Sequence, residues 1–284
     1  MILVQVAVGG LLLGAVYALF ASGLTLIWGM MNFINFAHGE FVMLGMYVAL
    51  VITWIHGGPE AFVPVATAAL FLLGVGVYFG LIKHVTRGPM LAQILSTFGL
   101  ALLLRYSAFA YFKPDFRTLP ESWLSGTLNV GGIYLQNSKL VAGFVALLLT
   151  IGMHVLLTRT ALGSRLLAVS EDRNAAMLMG IRPDRMQALA WGLSAASAGI
   201  AGALLAIGFP FSPEVGATFA LTAFVVVAFG GFGSVPGAAL AGLIIGLVDQ
   251  ISAYKLGPIY KDVVVYGLFV AILWVRPQGL FGKV

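Results

Sequence analysis

From Ile2 to Trp28 the chain carries no charged side chain, and its small polar groups are confined to Gln5, Ser22 and Thr25. That run exceeds the roughly 20 apolar residues needed to cross the hydrocarbon core of a bilayer. Further apolar runs follow at Phe62–Ile82, Met90–Phe112, Leu140–Leu157, Ala188–Ile207 and Val263–Val275. Inside lipid every backbone N–H and C=O must find its partner within the protein, so only helices and closed barrels span a membrane. Runs of this length select helices. The expectation is an all-α integral membrane protein, a polytopic bundle of about 8–9 transmembrane segments, some of them discontinuous, forming one domain over residues 1–284.

Composition narrows the function classes. Hydrophobic residues make up 61% and charged residues 9%, against about 45–50% and 25% in soluble domains, so no segment is left for a separate catalytic domain. Cysteine is absent, which removes disulfides, thiolate metal sites and cysteine nucleophiles. The net charge of +5 comes mostly from Lys and Arg in short loops, a membrane-topology pattern and not a nucleic-acid footprint. No basic region precedes the first apolar run, which therefore reads as a span and not as a cleavable signal. Glycine occupies 36 positions, and small residues allow the close backbone approach on which helix association in lipid depends.

The first span is interrupted by Gly29–Glu40, GMMNFINFAHGE, with Asn32, Asn35, His38 and Glu40 between two glycines. The apolar run that follows, Phe41–Ile55, is short for a crossing at about 1.5 Å per residue unless part of the interruption lies within the bilayer. A discontinuous helix is expected. His56 to Glu60 reads as a turn. Arg105, seven positions before the end of its span, is expected to snorkel to the interface. Lys113–Lys139 is a long polar connection of mixed charge in which Asn129–Leu135 suggests a small strand pair.

Thr158–Gln187 contains Arg159, Arg165, Arg173, Arg182 and Arg185. This concentration assigns loop 158–187 to the cytoplasm, as the basic residues of loop 83–89 and of the C-terminus do for those stretches, and counting the hydrophobic segments back from the C-terminus puts the N-terminus outside. Two short helices are expected in it, Leu162–Val169 and Glu171–Met179. Ser170 is the expected cap between them, Gly180 the stop, and Pro183 the start of the next helix. Helices this short are marginal alone, and the apolar residues Leu166, Leu167, Met177, Leu178 and Met179 call for a docking surface.

Near the end, Phe219–Phe229 and Ala238–Val248 are again short, joined by Gly230-Gly231-Phe232-Gly233-Ser234-Val235-Pro236-Gly237. Paired interrupted segments in the two halves of a transporter point to its pathway. Asn32, Asn35, His38, Gly39 and Glu40, with Gly230, Gly231, Gly233 and Pro236, are therefore candidate pathway-lining positions in two repeats. Satisfying the backbone of a broken helix would by itself account for the polar groups. Asp249 reads as a cap or interfacial residue.

Catalysis has little support. His38 and Glu40 are two apart, without a further ligand at helical spacing, so no zinc site is legible. The Gly230–Gly237 turn lacks the Lys-Ser/Thr that follows a phosphate cradle. No cofactor is expected on this chain, and any ATP would be bound by another. A proton-driven transporter working through His38 and Glu40 is the alternative from a different class.

Gly23–Gly29 with Asn32–Phe41, then Gly163, Arg165, Asp172, Ala176, Gly180-Ile181 and Asp184-Arg185, then Gly230–Gly237, Tyr260–Val263 and Pro277–Gly279, closely resemble a LivH-type permease of the branched-chain amino acid ABC importer family. The likeness runs the length of the chain, with departures at Trp28 and Met30-Met31. It implies an ABC importer permease fold without enzymatic activity in the bacterial inner membrane. The implied partners are a homologous LivM-type permease subunit, two cytoplasmic ATPase subunits that use the ATP, and a periplasmic or lipid-anchored substrate-binding protein. The ATPase-docking residues it implies are Gly163, Arg165, Glu171, Asp172, Arg173 and Gly180. Leu, Ile and Val are the expected solutes, with urea, short amides and aromatic acids carried by relatives.

Overall fold

The computed structural model describes residues 1–56, 62–86, 88–120, 126–130, 132–276 and 278–282. The expected turn at 57–60, Arg87 of the basic loop, Glu121, Gly131, Pro277 and Lys283 lie outside them.

Twelve α-helical elements and one hairpin are present among the described residues. They run α1 (Ile2–Met31), α2 (His38–His56), α3 (Phe62–Val77), which passes through a π turn at Tyr78–Ile82 into α4 (Lys83–Val85), and α5 (Met90–Phe112). After β1 (Thr127–Val130) and β2 (Ile133–Gln136) come α6 (Asn137–Arg159), α7 (Ala161–Glu171), α8 (Arg173–Leu178) and α9 (Pro183–Ala206). The chain closes with α10 (Val215–Gly230), α11 (Val235–Leu256) and α12 (Lys261–Val275). Seven of the described helices are long and apolar enough to cross a membrane, and α10 is a shorter apolar helix. With α10 and α12 the total agrees with the expected segment number.

The middle of the bundle belongs to α9, whose Ser194–Ala203 run is buried almost throughout. Side chains of one or two heavy atoms let neighbours reach its backbone from several sides. On one side α1 crosses where Gly23 meets Ser194; on another α2 crosses where Gly45 lies on Gly199. The α1–α11 contact is closest at Gly14, where an added Cβ would stand 2.6 Å from the Gly242 carbonyl oxygen. By contrast α5 and α6 are largely uncovered, with Leu95, Leu103, Phe144 and Leu148 exposed as lipid-facing surface requires.

Local signals explain most boundaries. Asn32 ends α1 in the left-handed region, φ 49° and ψ 41°, a conformation that Asn tolerates better than most residues. Pro183 opens α9. Thr127–Val130 pairs antiparallel with Ile133–Gln136, in line with the expected strand pair. In the Arg-rich loop the cap differs from expectation: Ser170 lies inside α7 and bonds the Leu167 carbonyl, 2.7 Å. Asp172 takes its place, its Oδ1 accepting from the N–H groups of Asn174 and Ala175 at 2.8 and 3.0 Å. α7 runs on through Ser170 to Glu171, so the junction with α8 falls at Asp172, and Asp is as good an N-cap as Ser. Gly180, at φ 79°, stops α8 as expected. Ala238–Val248 proves to be part of the full-length α11, because Lys255 extends from its last turn and Asp249 is paired inside it.

Candidate functional site

The interruption after α1 lies within the thickness of the bundle. His38, the first residue of α2, has its Nε2 2.7 Å from the carbonyl oxygen of Phe20. From Phe20, α1 continues eleven residues to Met31, about 16 Å of helix. The six residues Asn32–Ala37, which can span about 20 Å when extended, bring the chain back to that depth. The discontinuous helix expected from sequence is therefore present, but α2 starts at His38, so His38, Gly39 and Glu40 form its first turn instead of the break itself.

The returning segment is tied down along its path. Phe33 is buried with its ring 5.6 Å from that of Trp191. The Thr97 hydroxyl of α5 lies 3.2 Å from the Ile34 carbonyl, which shares the hydroxyl's one proton with the carbonyls of Gln93 and Ile94 at 3.3 and 3.1 Å. Asn35 is fully buried, and its Oδ1 accepts the Ala37 N–H at 3.0 Å. Carbonyls of Asn35 and Ala37 receive the first amides of α2, from His38 at 3.4 Å and from Glu40 at 3.0 Å. Amides that a helix start leaves unpaired are thus met by the segment itself, as lipid demands.

His38 is held from both ring nitrogens. A carbonyl only accepts, so Nε2 carries the hydrogen toward Phe20. Nδ1 faces the Ser194 hydroxyl of α9 at 3.5 Å. Glu40 is also fully buried. Its Oε1 receives Arg105 of α5 through Nε at 3.1 Å and through Nη2. The expected snorkelling of Arg105 is corrected here: with a carboxylate within reach, charge pairing inside the bundle replaces an escape to the interface. The Glu40 Oε2 has no hydrogen-bond partner among the described residues.

A second returning segment meets the first. Past Ser194, α9 runs twelve residues to Ala206, about 18 Å, and 207–214 leads back to Val215. Gly216, in the first turn of α10, lies directly on the Glu40 carboxylate, and Gly39 lies on Gly216 and Ala220. Side-chain bulk at either glycine would separate the two helix starts. The long helices α1 and α9 are antiparallel, since Gly23 meets Ser194 while Leu26 and Met30 pack with Ala190. α2 lies beside α9, and α10 lies beside α1 with Phe219 against Phe20 at 6.0 Å. α1–α2 and α9–α10 are thus inverted copies of one arrangement.

This corrects the expected repeat pairing. The counterpart of Asn32–Ala37 is the segment 207–214, which sequence marks only by Pro210, Pro213 and Glu214. Gly230–Gly237 is instead a tight turn between α10 and α11. Gly231 and Gly233 adopt φ 100° and 81°, Ser234 caps α11 by accepting from the Gly237 N–H at 3.1 Å, and Pro236 sits in its first turn. The turn does meet the opening motif, at the far end of α1: Gly29 faces Gly233, and the Trp28 and Phe232 rings are 4.6 Å apart.

Two helices whose starts meet inside a bundle, each after an interrupted segment, are an arrangement of membrane transporters. A family model described as the permease component of the branched-chain amino acid transport system matches residues 6–273. The chain belongs to this permease family. The permease is 32% identical, over 98% of its length and 95% of the relative's, to the high-affinity branched-chain amino acid transport system permease protein BraD of Pseudomonas aeruginosa. It is 31% identical to the corresponding protein LivH of Escherichia coli, over 96% of this chain and 94% of that one. It is also similar to Escherichia coli LivM, 28% identical over 93% of this chain and 67% of the relative. No solved structure matches the permease.

Among the candidate residues, the permease structure gathers Asn35, His38, Gly39 and Glu40 into one buried cluster and leaves Asn32 exposed at the end of α1. Gly163 is buried against the Leu156 and Leu157 carbonyls, Arg165, Glu171 and Gly180 are exposed, and Arg173 bonds Asp184 at 2.8 Å. Sequence reasoning missed Ser194 and Gly216, which lie in runs of similar small residues. It had the signal for Arg105, since an arginine within an apolar span marks a functional or paired position by default.

Proposed function

We propose that this chain is the membrane-spanning subunit of an ATP-driven importer for branched-chain amino acids, working by alternating access around the crossing of α2 and α10. The observation that carries the reading is the meeting of the two oppositely directed helix starts at Gly39 and Gly216. Such an arrangement rocks about a fixed point with little repacking, and the names of the relatives supply the solute class.

Energy enters at the opposite end from the hairpin. Leu178 and Met179 at the end of α8 are 89% and 82% exposed, with Met177 and Leu167 about half exposed. Leu166 is buried within the chain and does not belong to that surface. A contiguous cluster of exposed apolar side chains on a water-facing loop favours a protein partner, and the arginines of loop 158–187 favour a cytoplasmic position for this end. Two ATPase subunits dock there, a LivM-type subunit completes the membrane pair, and a binding protein delivers the solute on the hairpin side. The permease itself catalyses no reaction.

The test is uptake of labelled L-leucine by proteoliposomes holding the permease, a LivM-type partner, the ATPases and the binding protein. Uptake that requires internal ATP is expected. Uptake by this chain alone, driven by a pH gradient without ATP, overturns the proposal in favour of a proton-driven transporter.

A further inference from the structure

A mainly apolar cavity with a charged corner lies on the hairpin side of the α2–α10 crossing, between the start of α10 and the α11–α12 pair. Its volume is about 110 Å³, room for several waters. Asp249 of α11 faces it at 4% exposure. Its Oδ1 receives Lys261 at the start of α12, 3.1 Å. Its Oδ2 is buried without a hydrogen-bond partner among the described residues. Tyr17 of α1, Thr218 and Thr222 of α10, and Asp262 and Tyr266 of α12 are the other polar residues among the described lining. The Thr222 hydroxyl proton is already given to the Thr218 carbonyl, 2.9 Å, so toward the cavity that oxygen can only accept.

The charges do not balance. Asp249 and Asp262 face the cavity with Lys261 as the one cation of the lining. An added cation is favoured there and an added lone anion is not. Lys261 keeps donors free beyond the bond to Asp249, so a carboxylate carried on the same molecule as the cation is also accommodated. Phe219 lines the cavity, and its ring packs edge-on against that of Phe20 at 6.0 Å, the residue whose carbonyl accepts from His38 Nε2.

We propose that this cavity is a relay site for the zwitterionic head of an amino acid entering from the hairpin side. Asp249 Oδ2 accepts from its ammonium group and Lys261 Nζ donates to its carboxylate. The ligand class rests on the importer reading above; the charge preference of the cavity does not.

Two measurements test it on the assembled transporter. In the first, without binding protein, the melting midpoint of the unmodified complex is followed with L-leucine, isopentylamine and 4-methylpentanoate, each at tens of millimolar so that weak binding registers. L-Leucine is expected to raise the midpoint most and 4-methylpentanoate not at all; equal shifts from all three, or none from L-leucine, overturn the site. In the second, Asp249→Asn, which keeps the side-chain shape and a hydrogen bond to Lys261, is expected to abolish the L-leucine shift. It is also expected to lower ATP-driven uptake about tenfold. A shift that persists in Asp249→Asn, or uptake close to that of the unmodified complex, overturns the proposal and leaves the importer reading standing. Lack of leucine uptake by the unmodified complex overturns the importer reading, and the midpoint series then decides the cavity alone.

Discussion

Arg105 donates through both Nε and Nη2 to the same carboxylate oxygen of Glu40, binding the thinly packed α5 to the first turn of α2. The partners are 65 positions apart, and Glu40 is fully buried. Removing one member of such a pair strands a charge, whereas neutralising both does not. Arg105→Gln is therefore expected to destabilise the permease by about 3–5 kcal/mol. The double variant Glu40→Gln with Arg105→Gln should recover a large part of that. Thermal unfolding of the four proteins of the cycle in detergent measures the coupling, and equal losses in the single and double variants would contradict the pairing.

The crossing of α2 and α10 at their starts tolerates no side chain. A Cβ at Gly39 would stand 2.8 Å from the Ala220 Cα, a backbone atom that moves only with its helix. Gly39→Ala should cost about 1–3 kcal/mol, and uptake should fall more than the amount of protein in the membrane. Quantifying both in the same membranes checks this.

His38 holds α2 to α1 through a single donor. His38→Gln keeps an N–H of comparable reach and His38→Ala does not, so Ala should cost about 1–3 kcal/mol and Gln less. The order of the two melting midpoints decides between a hydrogen-bonding role and a purely space-filling one.

On the Arg-rich loop, stability and coupling separate. Asp172 caps α8, so Asp172→Ala should cost about 1 kcal/mol, and a charge reversal at Asp172 would confuse loss of the cap with loss of docking. Leu178→Glu alters a side chain 89% exposed. Its effect on stability should stay within about 0.5 kcal/mol, while ATP-driven uptake falls at least about tenfold. A full rate of uptake in Leu178→Glu would remove this surface from the ATPase contact.

Much of the architecture was legible because its causes are local. Asn32, Gly180 and Pro183 mark helix ends through backbone preferences. The break after α1 showed itself as polar residues where lipid admits none. Its partner 207–214 escaped notice because its prolines resemble those of any surface turn, while the glycines of Gly230–Gly237 drew attention to a tight turn between two helices. Asp249 likewise looked like a helix-end residue, since nothing near it in sequence shows that Lys261 folds back onto it.

By itself the sequence determined a lipid-embedded helical bundle, the position of its first break and membership of a permease family. The first two follow from the solvent a side chain prefers and from the few residues that terminate a helix; the third rests on a resemblance that runs the length of the chain. Only the tertiary structure decided that the polar groups of that break meet Phe20, Arg105, Ser194 and Gly216, and that the second break lies before α10. In a bilayer, apolar side chains are satisfied on every face of a helix, so hydrophobicity carries no instruction about which face meets which. Close backbone approach at glycines and the pairing of buried charges make that choice, and both join residues far apart in the chain.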